Sequence, residues 1–353
     1  MRTEHVLIIR FSALGDVAMT VPVVSSLARW YPDVRFTVLS RPNMRPLFDT
    51  LAPNVGFMEA DLKEEYSGLR GLNALYRRLT AKQFTAVADL HDVLRSQYLR
   101  RRFTIDGYRV AHIDKHRRGK RRLITERPLV QQPTSFSNYA DVFAKLGFPV
   151  KVTFDSIVTR STDANDETEL LTGRWHPNIG IAPFAAHEGK VYPLTLMEDV
   201  IARLTERHPD GRIFLFGGGK EERDVFSGWC SRYSQCLSVP DHIQGLSDEL
   251  RLMSRLDVML SMDSANMHLA SLTATPVVSV WGATHPYAGF MGWGQSLDNA
   301  VQLDMPCRPC SIYGNRPCRL GGTPCLNGIS PMTIVEKIEK NLRTKNEELR
   351  TKN

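Results

Sequence analysis

Short apolar runs alternate with longer stretches of helical periodicity along the chain, and this rhythm constrains the fold more than any other feature. The run His5-Val6-Leu7-Ile8-Ile9-Arg10 is almost continuously apolar. That suits a parallel strand buried on both faces better than a strand with one wet face. A short loop, Phe11-Ser12-Ala13-Leu14-Gly15-Asp16, leads from it into a helical stretch ending near Trp30. Residues 35–39 and 85–90 read as further strands. After a polar, acidic stretch at 159–172 the rhythm returns, with strands expected at 178–182, 212–216, 257–261 and 276–281 and helices at 197–207 and 265–273. Strand, helix, strand order at this spacing argues for a parallel sheet with helices on both faces. Two such series predict an α/β chain of two doubly wound domains. Ligands of such domains bind at the carboxyl ends of the strands, and here the crevice where the loops of the two domains meet is the expected place.

The chain has 353 residues, 42% of them hydrophobic, too many for one ordinary domain and enough for two cores. The expected boundaries are 1–158 for the first domain, 159–176 for the linker, 177–330 for the second domain and 331–353 for a terminal helix with a frayed tail. No apolar run reaches the roughly 18 to 20 residues of a membrane span. The N-terminus carries no cleavable leader pattern, so a cytoplasmic protein is expected.

The net charge of +7 is concentrated. Between 95 and 127 stand twelve Lys and Arg against Asp106, Asp114 and Glu126, a local excess that leaves the rest of the chain slightly acidic. Such a patch attracts a polyanion: nucleic acid, an anionic membrane surface or a phosphorylated substrate. The plain alternative is a solvated basic loop.

Several constellations carry chemistry. Gly15-Asp16 after a buried strand puts backbone amides and one carboxylate at the strand's carboxyl end. Asp16 reads equally as a helix cap or as a base taking a proton from a hydroxyl. Lys190, in Pro183-Phe184-Ala185-Ala186-His187-Glu188-Gly189-Lys190, reads as a point charge for phosphate or as an exposed loop lysine. At Ser261-Met262-Asp263-Ser264-Ala265-Asn266-Met267-His268 a strand turns into a helix whose first amides suit a diphosphate. Asp263 and Ser264 are also able to cap that helix, and His268 reads equally as a half-buried structural histidine. Gly217-Gly218-Gly219-Lys220-Glu221-Glu222 is neither a dinucleotide fingerprint nor a P-loop. Its acids suit ribose hydroxyls or the positive end of a helix dipole. Cys307, Cys310, Cys318 and Cys325 have a spacing that can hold a structural zinc ion, with reduced, packed thiols as the alternative; Cys230 and Cys236 carry no such pattern.

The segment Arg-Phe-Ser-Ala-Leu-Gly-Asp-Val at 10–17 resembles the N-terminal signature of the lipopolysaccharide heptosyltransferases, glycosyltransferase family 9. Asp263-Ser264-Ala265-Asn266-Met267-His268, followed by Thr275-Pro276-Val277-Val278 and Trp281-Gly282-Ala283-Thr284-His285-Pro286, resembles the second signature of that family. Order and separation match, so the resemblance spans nearly the whole chain. It implies a GT-B fold of two facing Rossmann-like domains, and an inverting, metal-independent transfer of a sugar, a heptose, from an ADP-sugar to a lipopolysaccharide core acceptor. No cofactor is implied beyond the donor itself. The first domain would bind the acceptor and the second the nucleotide sugar. Carried over, Asp16 is the general base and Lys190 neutralises the leaving diphosphate. The amides of Ser264, Ala265, Asn266 and Met267 hold the same phosphates, Asp263 contacts donor sugar hydroxyls, Glu222 binds ribose, and Gly15 and His268 belong to the donor site. Preorganised donors of this kind lower the barrier because charge builds on the diphosphate as the anomeric bond breaks.

Two departures bear on donor identity rather than reaction type: Ala265 stands where the signature usually has Gly, and Ala185 and Ala186 stand where relatives often carry hydroxyls. The resemblance also supplies a partner for the basic patch. Arg95, Arg100, Arg101, Arg117, Arg118 and Arg121 would dock an anionic lipid-linked saccharide, with peripheral contact at the inner face of the inner membrane and a strong salt dependence. Against a nucleic-acid partner, only Phe103 and Tyr108 lie within 100–122 as stacking platforms. A GT-B-like sugar-nucleotide epimerase, turning over the donor with no acceptor, is the remaining alternative.

Overall fold

The computed structural model describes residues 4–158, 167–173 and 175–352. The chain forms two compact units: 1–117 with 133–157, and 118–132 with 158–353. The segment 118–132, expected in the first domain, therefore goes with the second unit. Half of the expected linker, 159–166 and 174, lies outside the described residues.

In the first unit, β1 (His5–Ile9) is followed by α1 (Leu14–Ala18) and α2 (Val21–Trp30), then β2 (Arg35–Ser40), β3 (Val55–Glu59), α3 (Gly68–Thr80), β4 (Ala86–Asp89), α4 (Leu94–Ile105) and β5 (Arg109–His112). The helix α5 (Arg117–Thr125) starts at the junction of the units, and α6 (Ser135–Lys145) returns to the first. The five strands are parallel in the order β3-β2-β1-β4-β5. The continuous apolar run was the correct sign of a central strand: Val6, Leu7, Ile8 and Ile9 are fully buried. Leu7 and Ile9 join Leu72, Leu75, Leu79, Leu99 and Phe103 in one core.

The second unit contains α7 (Glu167–Thr172), β6 (Asn178–Ala182), α8 (Leu194–Arg207), β7 (Arg212–Leu215), α9 (Lys220–Arg232), β8 (Cys236–Ser238), α10 (Val239–His242), α11 (Leu246–Ser254), β9 (Val258–Met262), α12 (Ala265–Leu272), β10 (Val277–Val280), β11 (Ala300–Val301), α13 (Pro324–Asn327) and α14 (Pro331–Lys352). Its parallel sheet runs β11-β10-β9-β6-β7-β8. Ile334, Val335 and Ile338 of α14 are buried in the core of this unit. The helix continues to Lys352, where the sequence had suggested a frayed tail.

Each sheet has a single point where the strand order reverses, between β1 and β4 in the first unit and between β6 and β9 in the second. Connections from such a pair of strands leave to opposite faces of the sheet, and the divergence opens a crevice at the carboxyl ends of the strands. Asp16 follows β1, Lys190 follows β6 and Asp263 follows β9, so the sequence-derived candidates stand at the two switch points.

Candidate functional site

In the first unit, Arg10 continues β1 and turns its side chain back toward the loop. The guanidinium Nη2 lies 2.7 Å from Asp16 Oδ2, and Nη1 donates to the carbonyl of Leu90, beyond β4, at 2.7 Å. Its side chain is only 7% exposed against 35% for Asp16, so the ion pair is anchored inside and opens outward. Asp16 is not the cap residue of α1 but its third position, and Oδ2 also accepts from the Ala13 amide at 3.3 Å. The carboxylate is thus oriented by both devices, a local turn and a buried cation. Gly15, ahead of it, is buried in the first turn.

Two residues that sequence reasoning missed complete this end. Tyr139, on α6, is buried and donates its hydroxyl to the Asp16 carbonyl at 3.3 Å, with the Arg10 guanidinium 6.0 Å above its ring. Burial pushes its phenol up, so it stays neutral. His91 Nδ1 accepts from the Phe11 amide at 3.3 Å. Burial, and then the positive charges of Arg10 and Lys115, pull its imidazole down to about 3. A neutral ring is what the amide requires, since a protonated Nδ1 cannot accept. Neither partner carries a local signal, because each reaches the loop after β1 from a distant part of the chain.

In the second unit, Lys190 closes a 3-10 turn (Glu188–Lys190) after β6. Its Nζ lies 2.9 Å from Asp263 Oδ2 and donates to the Asp263 carbonyl at 3.0 Å. The lysine side chain is 17% exposed and the aspartate 4%, so this is a desolvated pair rather than a surface contact. The sequence left Lys190 open as an exposed loop lysine, and the structure replaces that reading with a held cation. It also separates Asp263 from helix capping. The N-cap of α12 is Ser264, whose side chain makes no capping hydrogen bond and instead meets Ser261 Oγ at 3.2 Å. Ala265 and Asn266 open the helix, Met267 and His268 are buried behind them, and the lysine ammonium is held at the residue just before the cap. A cation beside an uncapped helix N-terminus is an arrangement suited to an anion.

Glu222 takes the first-turn place that the sequence left open for it. It stands third in α9, and its Oε2 accepts from the amides of Gly218 at 2.7 Å and Gly219 at 3.3 Å. One carboxylate oxygen therefore serves its own helix. The basic patch is also divided. Arg100 pairs with the buried Asp89 at 3.0 Å and with Asp92 at 3.2 Å, and Arg117 pairs with Asp92 at 3.3 Å, so these two act on the protein itself. Arg127 donates to the carbonyls of Pro306 and Arg308. Arg95 and Arg101 on α4, and Arg118 and Arg121 on α5, are exposed and make no ion pair among the described residues. The opposite side of α5 is held by the second unit, with Leu123 packed on Ala288 and Ile312 and Lys120 Nζ 4.2 Å above the Phe290 ring.

The four cysteines at 307–325 share one loop region, yet no group of three or more His, Cys, Asp or Glu among the described residues is arranged to hold a metal ion. Burial pushes the Cys310 and Cys325 thiols up from their ordinary value. All four thiols are free here, with Cys325 buried, Cys310 and Cys318 half-buried and Cys307 exposed. No helix among the described residues is long and apolar enough to cross a membrane.

The family model for glycosyltransferase family 9 (heptosyltransferase) matches residues 72–319. The lipopolysaccharide core heptosyltransferase OpsX of Haemophilus influenzae is 23% identical over 306 residues, 84% of this chain and 83% of that protein. Among solved structures, a family 9 glycosyltransferase from Veillonella parvula is similar with a TM-score of 0.73 at 16% identity, over 98% of each chain. The E. coli heptosyltransferase WaaC with ADP gives 0.67 at 17% identity, over 96% of this chain and 99% of that one.

Proposed function

The chain belongs to glycosyltransferase family 9, the heptosyltransferases, and from that premise we propose that it transfers a heptose from an ADP-sugar to a phosphorylated lipopolysaccharide core acceptor, with inversion and without a metal ion. The observation that carries the donor half of this reading is the buried Lys190–Asp263 pair at the uncapped end of α12. A nucleoside diphosphate leaving group develops negative charge as the anomeric bond breaks. Lys190 and the first amides of α12 supply positive potential that is already oriented, so little reorganisation is needed at the moment of reaction. WaaC was solved with ADP, which supports an adenine nucleotide in the donor.

Asp16 is the proposed base. Inversion in one step calls for a carboxylate that removes the proton from the acceptor hydroxyl as it attacks the anomeric carbon. The Arg10 guanidinium and the Ala13 amide hold one oxygen of the carboxylate, which fixes its direction. On this reading Asp263 acts chiefly through Lys190, and Glu222 meets a ribose hydroxyl through Oε1 while Oε2 keeps the glycine amides. The exposed Arg95, Arg101, Arg118 and Arg121 are the acceptor-side cations, and their proposed partner is an anionic glycolipid at the inner membrane face, with the protein itself cytoplasmic.

A transfer assay with ADP-heptose and a phosphorylated core acceptor tests the whole reading. Product of inverted anomeric configuration formed in the presence of a chelator supports it. Turnover of the donor alone would point to an epimerase, and retention of configuration would refute the single-displacement mechanism.

A further inference from the structure

Arg308 stands in the cysteine-bearing loop and is 3% exposed. Its Nε donates to the Gly282 carbonyl at 2.5 Å, and Nη2 donates to the carbonyls of Trp281 at 3.0 Å and Thr284 at 2.9 Å and to Gln302 Oε1 at 3.1 Å. Nη1 donates to the Leu303 carbonyl. All of these acceptors are uncharged, and among the described residues Arg308 makes no ion pair. A buried cation without a counter-ion is costly, and a planar fork spread over the carbonyls of one turn is a specific way to fix its shape.

The fixed turn is tied by its backbone to Gly189, just before Lys190, and to the loop that carries Arg308. Ala283 donates its amide to the Gly189 carbonyl at 2.8 Å, while its own carbonyl accepts from the amides of Cys310 at 3.1 Å and Ser311 at 3.2 Å. Three glycines then meet where side chains would not fit. A Cβ on Gly282 would lie 2.6 Å from the Gly189 carbonyl oxygen, and one on Gly189 would lie 2.9 Å from that of Gly314. One on Gly314, at φ +74°, would lie 2.6 Å from Lys190 Cγ. The Gly189 backbone is thus held by the turn that Arg308 shapes, the lysine stem that follows it lies against Gly314 of the loop that carries Arg308, and the ammonium reaches Asp263 from there.

We infer that Arg308 is a positioning residue for the donor site: by clamping the carbonyls of the 281–284 turn it sets the place of Lys190 and so the strength with which the leaving diphosphate is held. This rests on the reading of Lys190 given above. Arg308 touches no reacting atom, and its effect passes through Lys190 alone.

The test is a double-mutant cycle on ADP affinity, measured by titration calorimetry with the full-length protein. Arg308→Gln is expected to weaken ADP binding by about tenfold, and Arg308→Lys, which keeps the charge but not the fork, by a similar factor. In a Lys190→Ala background the Arg308→Gln change is expected to weaken ADP binding no further, because the residue through which it acts is gone. The matching kinetic signature is a raised donor KM and lowered kcat with an unchanged acceptor KM. Equal losses in both backgrounds would overturn the inference, as would full ADP affinity in a folded Arg308→Gln protein. If Arg308→Gln does not fold, the cycle with Arg308→Lys decides between the same outcomes. Failure of the wild-type protein to bind ADP would instead refute the donor reading on which the inference rests, and thereby both.

Discussion

Lys190 and Asp263 meet twice in the second unit, ammonium to carboxylate at 2.9 Å and ammonium to backbone carbonyl at 3.0 Å. The two residues come from the ends of β6 and β9, the strands that flank the reversal of sheet order, so the same topology that builds the sheet also builds the pair. The ion pair is nearly dry, which makes each partner a hazard to the fold when the other is removed.

Stability and ligand binding at this pair are separable. Lys190→Ala leaves a buried carboxylate alone and is expected to destabilise the second unit by roughly 3 kcal/mol. Lys190→Ala with Asp263→Asn is expected to recover most of that stability while ADP affinity stays low, because the cation is still missing. Chemical denaturation and calorimetric titration of the wild type and the two variants check both halves. Recovery of ADP binding in the double variant would remove Lys190 from the phosphate role.

Asp16→Asn preserves an acceptor for the Ala13 amide but removes the charge facing the buried Arg10, so a stability loss of up to about 3 kcal/mol is expected. Transfer is expected to fall on the order of 10² to 10⁴-fold, as for loss of a general base, with ADP affinity unchanged. Single-turnover measurement beside a binding titration separates the two. Full transfer by the Asn variant would show that the acceptor proton goes elsewhere.

Acid sensitivity follows from two histidines kept neutral. His91 is pulled down to about 3, chiefly by burial, and His285, which accepts from the Tyr287 amide at 3.1 Å, to about 4, again chiefly by burial. Below the ordinary histidine value of 6.5 the unfolded chain takes up protons that the native rings refuse, so stability is full above that pH and falls as pH drops toward 4. Each ring contributes a slope of at most about 1.4 kcal/mol per pH unit in this window. His91→Gln, which keeps an acceptor for Phe11, is expected to remove one such contribution. Denaturation midpoints between pH 7 and 4 report it, and an unchanged slope would place the charge uptake on other groups.

The arginines divide into two behaviours. Arg118→Glu with Arg121→Glu is expected to raise the acceptor KM by about tenfold at low salt, and added salt is expected to narrow the gap to wild type, because these side chains are exposed and screened. Arg100→Ala is expected to act on the fold, costing about 3 kcal/mol by leaving the fully buried Asp89 without its cation. Acceptor titrations across a salt series and thermal unfolding distinguish the two classes. A salt-independent Arg118/Arg121 effect would argue against electrostatic docking.

Much of the fold could be read locally. Apolar runs such as Val6 to Ile9 mark central parallel strands because such strands must be dry on both faces, and the turns after β1, β6 and β9 follow from where those runs stop. The candidates Asp16, Lys190 and Asp263 were legible for the same reason: in a doubly wound sheet the ends of the switch-point strands are where ligands bind. The division of the basic stretch was not legible. Charge counts the arginines but does not say that Arg100 faces Asp89, or that Leu123 and Lys120 carry α5 onto the second unit.

The sequence by itself determined the two βα series, the family to which the signatures belong and the residue types at the strand ends, since all three depend on neighbours within a few positions. Only the tertiary structure decided which of those residues are partnered, and by what. Arg10 takes hold of Asp16, Asp263 serves Lys190 instead of a helix cap, Glu222 turns to its own glycines, and Arg308 closes over a turn some two dozen residues away. The reason is physical: burial makes an unpaired polar group costly, and the partner that relieves it is set by proximity in space, which periodicity along the chain does not encode.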